Sequence, residues 1–375
     1  MAKITIIGAG FGGLTAVRAL RRRLPDAEIT LIAPKAEFVY YPSLIWIPVG
    51  LRRGEDLRIP LERFFARQKV EFHQGRVTGL KDGGRTVVTD MGEVGNDALI
   101  IASGGRGIKK LPGIEHSIAI CDGIEAAEAI RDRLALLDKG TIALGFGGNP
   151  LEPPAVRGGP MFELLFGLDT HLKRLGKRPQ MDLVFFNPMK EPGNRLGPKA
   201  VAGILGEMEK RGIRAHLGHK ITGFETKKVQ TEGGDIDADL ILFMPGMTGP
   251  EWLANSGLPL SPGGFIQADR YCQVQDHPGI FVAGDSGSYA GTADWLPKQG
   301  HAADLQAETA VASLLAQMHG KAPDQPFKEE LICIVDTLDS GIMVYRDNKR
   351  ASVLPNPFWH TAKRLFEWRY LLHYK

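Results

Sequence analysis

Lys3-Ile4-Thr5-Ile6-Ile7-Gly8-Ala9-Gly10-Phe11-Gly12-Gly13-Leu14 is the stretch that decides the fold. Ile4, Ile6 and Ile7 read as a buried strand, and Thr15 to Arg23 continue as a helix. Gly8, Gly10 and Gly13 between them form G-x-G-x-x-G. Gly8 permits a tight turn, Gly10 lets the backbone approach a pyrophosphate, and Gly13 lets the helix pack on the strand. The helix N-terminus then holds the anion, with Phe11 and Gly12 completing the loop. Strand, glycines and helix in this order predict a dinucleotide-binding α/β unit.

At 375 residues the chain is long enough for two domains with full cores. Apolar residues at 43% and charged residues at 24% describe an ordinary globular protein. A net charge of +3 argues no nucleic-acid partner. Three cysteines, Cys121, Cys272 and Cys333, are too few for a disulfide scaffold. No metal site is expected. The first residues lack the regions of a signal peptide, and no run of about 18 apolar residues spans a membrane.

A second glycine motif is degraded. Thr141-Ile142-Ala143-Leu144-Gly145-Phe146-Gly147-Gly148-Asn149 is again a strand leading into glycines. Pro150, Pro153 and Pro154 follow, which lack an N–H and disfavour helix in the residue before them. The helix is predicted to start later, near Gly159-Pro160, where proline suits the first turn, and to run to Arg174. The next strand, Asp182 to Asn187, lacks an acid for a ribose. A second Rossmann-like domain is expected, without NAD(P)H in it.

Which dinucleotide occupies the first site depends on distant segments. Ile280-Phe281-Val282-Ala283-Gly284-Asp285 is an apolar strand ending in Gly-Asp, and Ala98 to Gly105 is a strand ending in Ala102-Ser103-Gly104. Both resemble strands of glutathione-reductase-like flavoproteins, in which the Asp meets the flavin ribityl chain. That resemblance implies FAD. The strand Glu28 to Ala33 ends in Ala33-Pro34-Lys35 instead of a ribose-binding acid; either Glu37 substitutes from the loop or the ribose contact is missing.

Four further segments narrow the resemblance. They are Phe243 to Pro250, Pro297-Lys298-Gln299-Gly300-His301, Leu331-Ile332-Cys333-Ile334-Val335-Asp336, and Gly159-Pro160-Met161-Phe162-Glu163. The chain is similar to the sulfide:quinone oxidoreductase family, whose relatives include flavocytochrome c sulfide dehydrogenase flavoproteins and type II NADH dehydrogenases. The resemblance implies a redox role for Cys333 beside the flavin and for Cys121 near the crossover. It implies Lys298 at the flavin pyrimidine and Glu163 as a proton relay. His301 and Gly300 would face a quinone, and a reduced sulfur species such as sulfide would be the donor. One departure matters: the family's second redox cysteine would lie near Arg157, where this chain has none. Cys272 has no counterpart. Other readings remain: a different donor with a cytochrome or protein acceptor, or a flavin redox sensor.

The expected fold class is α/β, with two Rossmann-like dinucleotide-binding domains and a C-terminal amphipathic tail. Residues 1–107 and 251–325 would form the FAD-binding domain, and 108–250 the second domain. Residues 326–375 would cover the flavin and reach a membrane. Val70 to His73 and Thr86 to Thr89, with Asp82-Gly83-Gly84 between them, read as a hairpin. Over 357–375 a helical projection puts Phe358, Trp359, Ala362, Leu365, Phe366, Trp368, Tyr370 and Leu372 on one face. That face suits a membrane interface, with Lys363, Arg364, Arg369 and Lys375 meeting lipid phosphates. The alternative is a helix docked on the protein's own core. The expected location is peripheral on the cytoplasmic side of a membrane, and a homo-oligomer is compatible with the sequence.

Overall fold

The computed structural model describes residues 2–375. Strand β1 (Lys3–Ile7) turns at Gly8 into helix α1 (Phe11–Arg23) and returns as β2 (Glu28–Ala33). Strand β3 (Val70–Gln74) lies beside β2 in parallel. A small antiparallel sheet follows, made of β4 (Val77–Lys81), β5 (Thr86–Thr89) and β6 (Gly92–Gly95). Strand β7 (Ala98–Ile101) then pairs with β1 on the side away from β2.

The hairpin reading is thereby corrected. Val70–Gln74 does not pair with Thr86–Thr89; Val77–Lys81 does. The turn at Asp82–Gly84 is real, with Asp82 at φ +52° and Gly83 at φ +62°. Local turn chemistry located the bend, but the partner strand lay between the two segments.

The second layer begins with β8 (Gly140–Phe146), followed by helix α2 (Gly159–Arg174). Strands β9 (Met181–Asn187), β10 (Arg214–Leu217) and β11 (Leu240–Met244) complete a parallel sheet of order β10-β9-β8-β11. The chain then returns to the first sheet as β12 (Ile280–Val282), beside β7. The first sheet therefore has order β12-β7-β1-β2-β3, all parallel, with its switch point at β1. Ile4, Ile6, Leu31, Leu99, Ile100 and Phe281 are buried in it, as strands covered on both faces require.

Helix α3 (Gly300–Met318) packs against α1. The last section is a three-stranded antiparallel sheet, β13 (Glu330–Asp336), β14 (Gly341–Asp347) and β15 (Ala351–Pro355), followed by helix α4 (Phe358–Leu371). Strand β13 also contacts α2, and α4 lies on β13 and β14.

Helix α4 is amphipathic in an unusual sense, because its charged face turns inward. Glu367, Leu371 and Tyr374 are buried, while Phe358, Leu365, Phe366, Trp368 and Leu372 are each more than half exposed. Trp359 and Tyr370, expected on the lipid face, are partly covered: Trp359 donates to the Leu354 carbonyl, and Tyr370 donates to Asp304 at 3.1 Å. Lys363, expected at lipid phosphates, is ion-paired with Glu163 inside the protein. Arg364, Arg369 and Lys375 are exposed. Among the described residues no helix is long and apolar enough to cross a membrane.

Candidate active site

The first cradle has the shape that its glycines predict. Gly8 sits at φ +108°, and a Cβ there would collide with the Ala102 carbonyl oxygen. A Cβ on Gly13 would collide with the Gly8 carbonyl oxygen. At Gly10 a Cβ would meet nothing within 4 Å, so the backbone faces open space. Helix α1 has no side-chain cap and no acid in its first turn, which leaves its N-terminus available to an anion. Gly12 packs on Ala102 and Ala283, tying the ends of β7 and the β12 strand to the cradle. Ser103 and Ser286 hydroxyls lie 3.3 Å apart, and Ser286 donates to the Gly104 carbonyl. Ala33 is buried, Pro34 and Lys35 are exposed, and Glu37 is held by Arg58 at 3.1 Å. A dinucleotide fits this cradle.

Asp285 follows the carboxyl end of β12, the edge strand that pairs with β7. Two cations converge on it. Arg157 forms an ion pair with its carboxylate. Lys298 Nζ donates to the backbone carbonyls of Asp285 at 3.3 Å and Gly287 at 2.7 Å, and sits 3.9 Å over the Phe265 ring. Burial pulls the Lys298 ammonium down to about 8, against the opposing pull of Asp285. Arg157 also lies beside Cys121, whose thiol burial pushes up and Arg157 pulls down. Thus the position where the resemblance calls for a cysteine holds a guanidinium shared by Cys121 and Asp285. Nothing in the sequence pattern singled out Arg157 for this role.

Cys333 lies elsewhere in the site, on β13. Its Sγ is 3.8 Å from where a Cβ on Gly159 would stand, at the start of α2. Helix α2 begins only at Gly159, after turns over 149–158, so its first residue is the one that faces Cys333. Burial pushes the Cys333 thiol up to about 12; Glu163 raises it further and Lys363 opposes. All three cysteines are free. Cys272 is fully buried, with Sγ donating to the Gln306 carbonyl.

Around Cys333 runs a buried polar network built from three elements. Glu163 on α2 is 8% exposed, and burial lifts its carboxyl to about 7 despite Lys363. Asp336 on β13 accepts from Trp46 Nε1 at 2.6 Å and pairs with His360 at 2.9 Å. Glu367 is paired with Arg52. His360, Lys363 and Glu367 are therefore the inward face of α4. Their spacing of three and four residues was visible in the sequence, but their partners were not. At the other end of the helix the Tyr370 ring packs near Phe11, with centroids 5.4 Å apart and planes tilted by 41°. Gly300 and His301 begin α3. Gly300 packs against the Phe11 ring, and His301 pairs with Glu330 at 2.8 Å.

The family model described as pyridine nucleotide-disulphide oxidoreductase matches residues 2–307. A sulfide-quinone reductase of Aquifex aeolicus is 28% identical over 273 residues, 68% of this chain. The aligned part spans only 61% of that relative's length. A type II NADH:quinone oxidoreductase of Mycobacterium tuberculosis is 24% identical over 87% of this chain and 75% of its own. A solved sulfide:quinone oxidoreductase from Aquifex aeolicus superposes with a TM-score of 0.91 at 23% identity, covering 99% of this chain and 91% of that one. That likeness establishes the shared two-sheet fold, and the flavoprotein relatives together with the open cradle give FAD as the cofactor. With its match running from the glycine cradle through β12 and into α3, the chain belongs to the pyridine nucleotide-disulphide oxidoreductase family.

Proposed function

We propose that this protein passes two electrons from a reduced sulfur donor, through FAD, to a membrane quinone. The observation that carries the reading is the Cys333 site: a thiol on β13 facing the start of α2, beside a buried Glu163–Lys363 pair, beneath a helix with an apolar outer face. FAD, when bound, supplies the two-electron carrier. The chain's own residues do the rest. The cradle at Gly8–Gly13 holds the pyrophosphate. Asp285 orients the ribityl chain, Lys298 and Arg157 supply positive charge, and Ala33-Pro34-Lys35 line the adenosine side. Cys333 meets sulfur, with Cys121 as the second thiol. Glu163, raised by burial to about 7, relays one of the two protons that two-electron reduction of a quinone to a quinol takes up. Gly300 and His301 frame the quinone at the aromatic cluster of Phe11 and Tyr370. The outer face of α4 rests in the lipid interface, with Arg364, Arg369 and Lys375 at its edge.

Anaerobic bleaching of the flavin tests this. Sulfide should reduce it rapidly and NADH slowly, and a short-chain quinone should reoxidise it. Rapid reduction by NADH would shift the assignment to the NADH:quinone oxidoreductase relatives.

Arg157 favours a second reading. With a guanidinium between Cys121 and Asp285, a relay of sulfur between two cysteines has no thiol at that position. The donor would then react at Cys333 or at the flavin alone, and the acceptor could be a cytochrome. Equal turnover of Cys121→Ser and wild type would support that version.

A further inference from the structure

Arg195 is half-buried in a single helical turn, Asn194–Leu196, between β9 and β10, and no sequence motif marks it. Its guanidinium reaches two separate loops. One nitrogen donates to the Pro154 carbonyl at 2.6 Å and the Val156 carbonyl at 3.5 Å. The other donates to the Trp295 carbonyl at 3.3 Å and to the Leu296 carbonyl. The first loop runs directly into Arg157, and the second directly into Lys298. A third element closes the joint: Arg346 on β14 donates to the Arg195 carbonyl at 2.7 Å and lies 5.0 Å over the Trp295 ring. Arg195 Nε is buried without a partner, so every bond its side chain makes is to these loop carbonyls.

We propose that Arg195 is a positioning residue: it clamps the 149–158 turns to the 295–296 segment and so aims Arg157 and Lys298 at Asp285, fixing the positive charge beside the flavin. The physical reason is the planar fork. Only arginine presents two rigid, divergent sets of N–H donors that can bridge two strands of carbonyls at once. Neither loop has regular structure of its own to hold it. The two cations stand at the carboxyl ends of the strands, where a dinucleotide lies in this sheet type. Positive charge held there stabilises the anionic reduced flavin. The proposal rests on the FAD assignment and is independent of which donor or acceptor the protein uses.

The test is the two-electron reduction potential of the bound flavin, read spectroscopically against a reference dye in the FAD-loaded full-length protein. Arg195→Met, Arg195→Lys and Lys298→Met are compared with wild type, with far-UV circular dichroism and thermal melting as checks on folding. At fixed ambient potential the reduced-to-oxidised ratio should fall about tenfold in Arg195→Met, a shift of about 30 mV downward. Arg195→Lys should fall nearly as far, because lysine keeps the charge but cannot bridge both loops. Arg195→Met combined with Lys298→Met should fall less than the sum of the two, since one acts through the other. If Arg195→Met fails to fold, Arg195→Lys decides alone. A wild-type potential in Arg195→Lys would overturn the proposal, since charge without the fork would then suffice. So would loss of FAD from both Arg195 variants while Lys298→Met retains it, which would make Arg195 a builder of the cradle instead.

Discussion

Lys363 and Glu163 lie 200 residues apart in sequence and form an ion pair beneath the last helix, within reach of the Cys333 thiol. The pair joins α4, α2 and β13. It means that the C-terminal helix is part of the site's interior wall as well as an outer surface.

Glu163 gives a pH signature. Burial raises its carboxyl from 4.5 to about 7. The folded state therefore binds more protons than the unfolded chain between those values. The contribution is fully present below 4.5 and is lost as pH rises through 7. Wild type should lose stability relative to Glu163→Gln across that window, by about 3 kcal/mol at most. Urea unfolding of both proteins at a series of pH values measures it. Parallel curves would contradict the assignment.

Gly10→Val should abolish FAD binding while leaving the fold intact, because its side chain would fill the open space facing the pyrophosphate. Gly13→Ala should instead destabilise the protein, since its methyl group collides with the Gly8 carbonyl within the turn. Flavin absorbance after titration with FAD, alongside thermal melting, separates the two effects.

Cys333→Ser should slow sulfide-dependent flavin reduction by at least about a hundredfold, the scale of removing a reacting side chain. Cys272→Ser should leave the rate within a factor of two or so, because that thiol is buried against the Gln306 carbonyl, away from the site. The high position of the Cys333 thiol, about 12, adds a sign: alkylation by iodoacetamide should be slow at pH 8 and accelerate with rising pH. Fast labelling of Cys333 at pH 7 would refute that environment.

Membrane binding should depend on the outward residues of α4. Leu365→Asp with Trp368→Asp should release the protein from anionic liposomes at little cost in stability, since both side chains are more than half exposed. Deleting 357–375 should release it too, but should also destabilise the protein. It strips His360, Lys363 and Glu367 from Asp336, Glu163 and Arg52, and breaking one buried pair costs about 3–5 kcal/mol. Flotation at low and high salt, with melting curves, distinguishes the variants. Undiminished flotation of the double variant would place the anchor elsewhere.

NADH should bleach the flavin poorly, because the second glycine motif leads into turns and not into a helix. Stopped-flow reduction at micromolar NADH is the measurement, and fast bleaching would reverse the expectation.

Local rules made part of this protein legible. Gly8 and Gly13 announce their turn because the positive φ at Gly8 and the approach of Gly13 to the Gly8 carbonyl act within a few residues. Pro150, Pro153 and Pro154 delay the second helix, and Gly159-Pro160 starts it, for the same local reason. Periodicity likewise drew two faces on α4, but amphipathicity alone does not say which face meets the protein. Only the tertiary structure decided that the charged face turns inward, because carboxylates on α2 and β13 and Arg52 await it there. The same holds for Arg157 on Asp285, for the Arg195 clamp, and for the strand at Val70–Gln74, which chose β2 over its neighbour in sequence. Each is a contact between residues that no short-range pattern links.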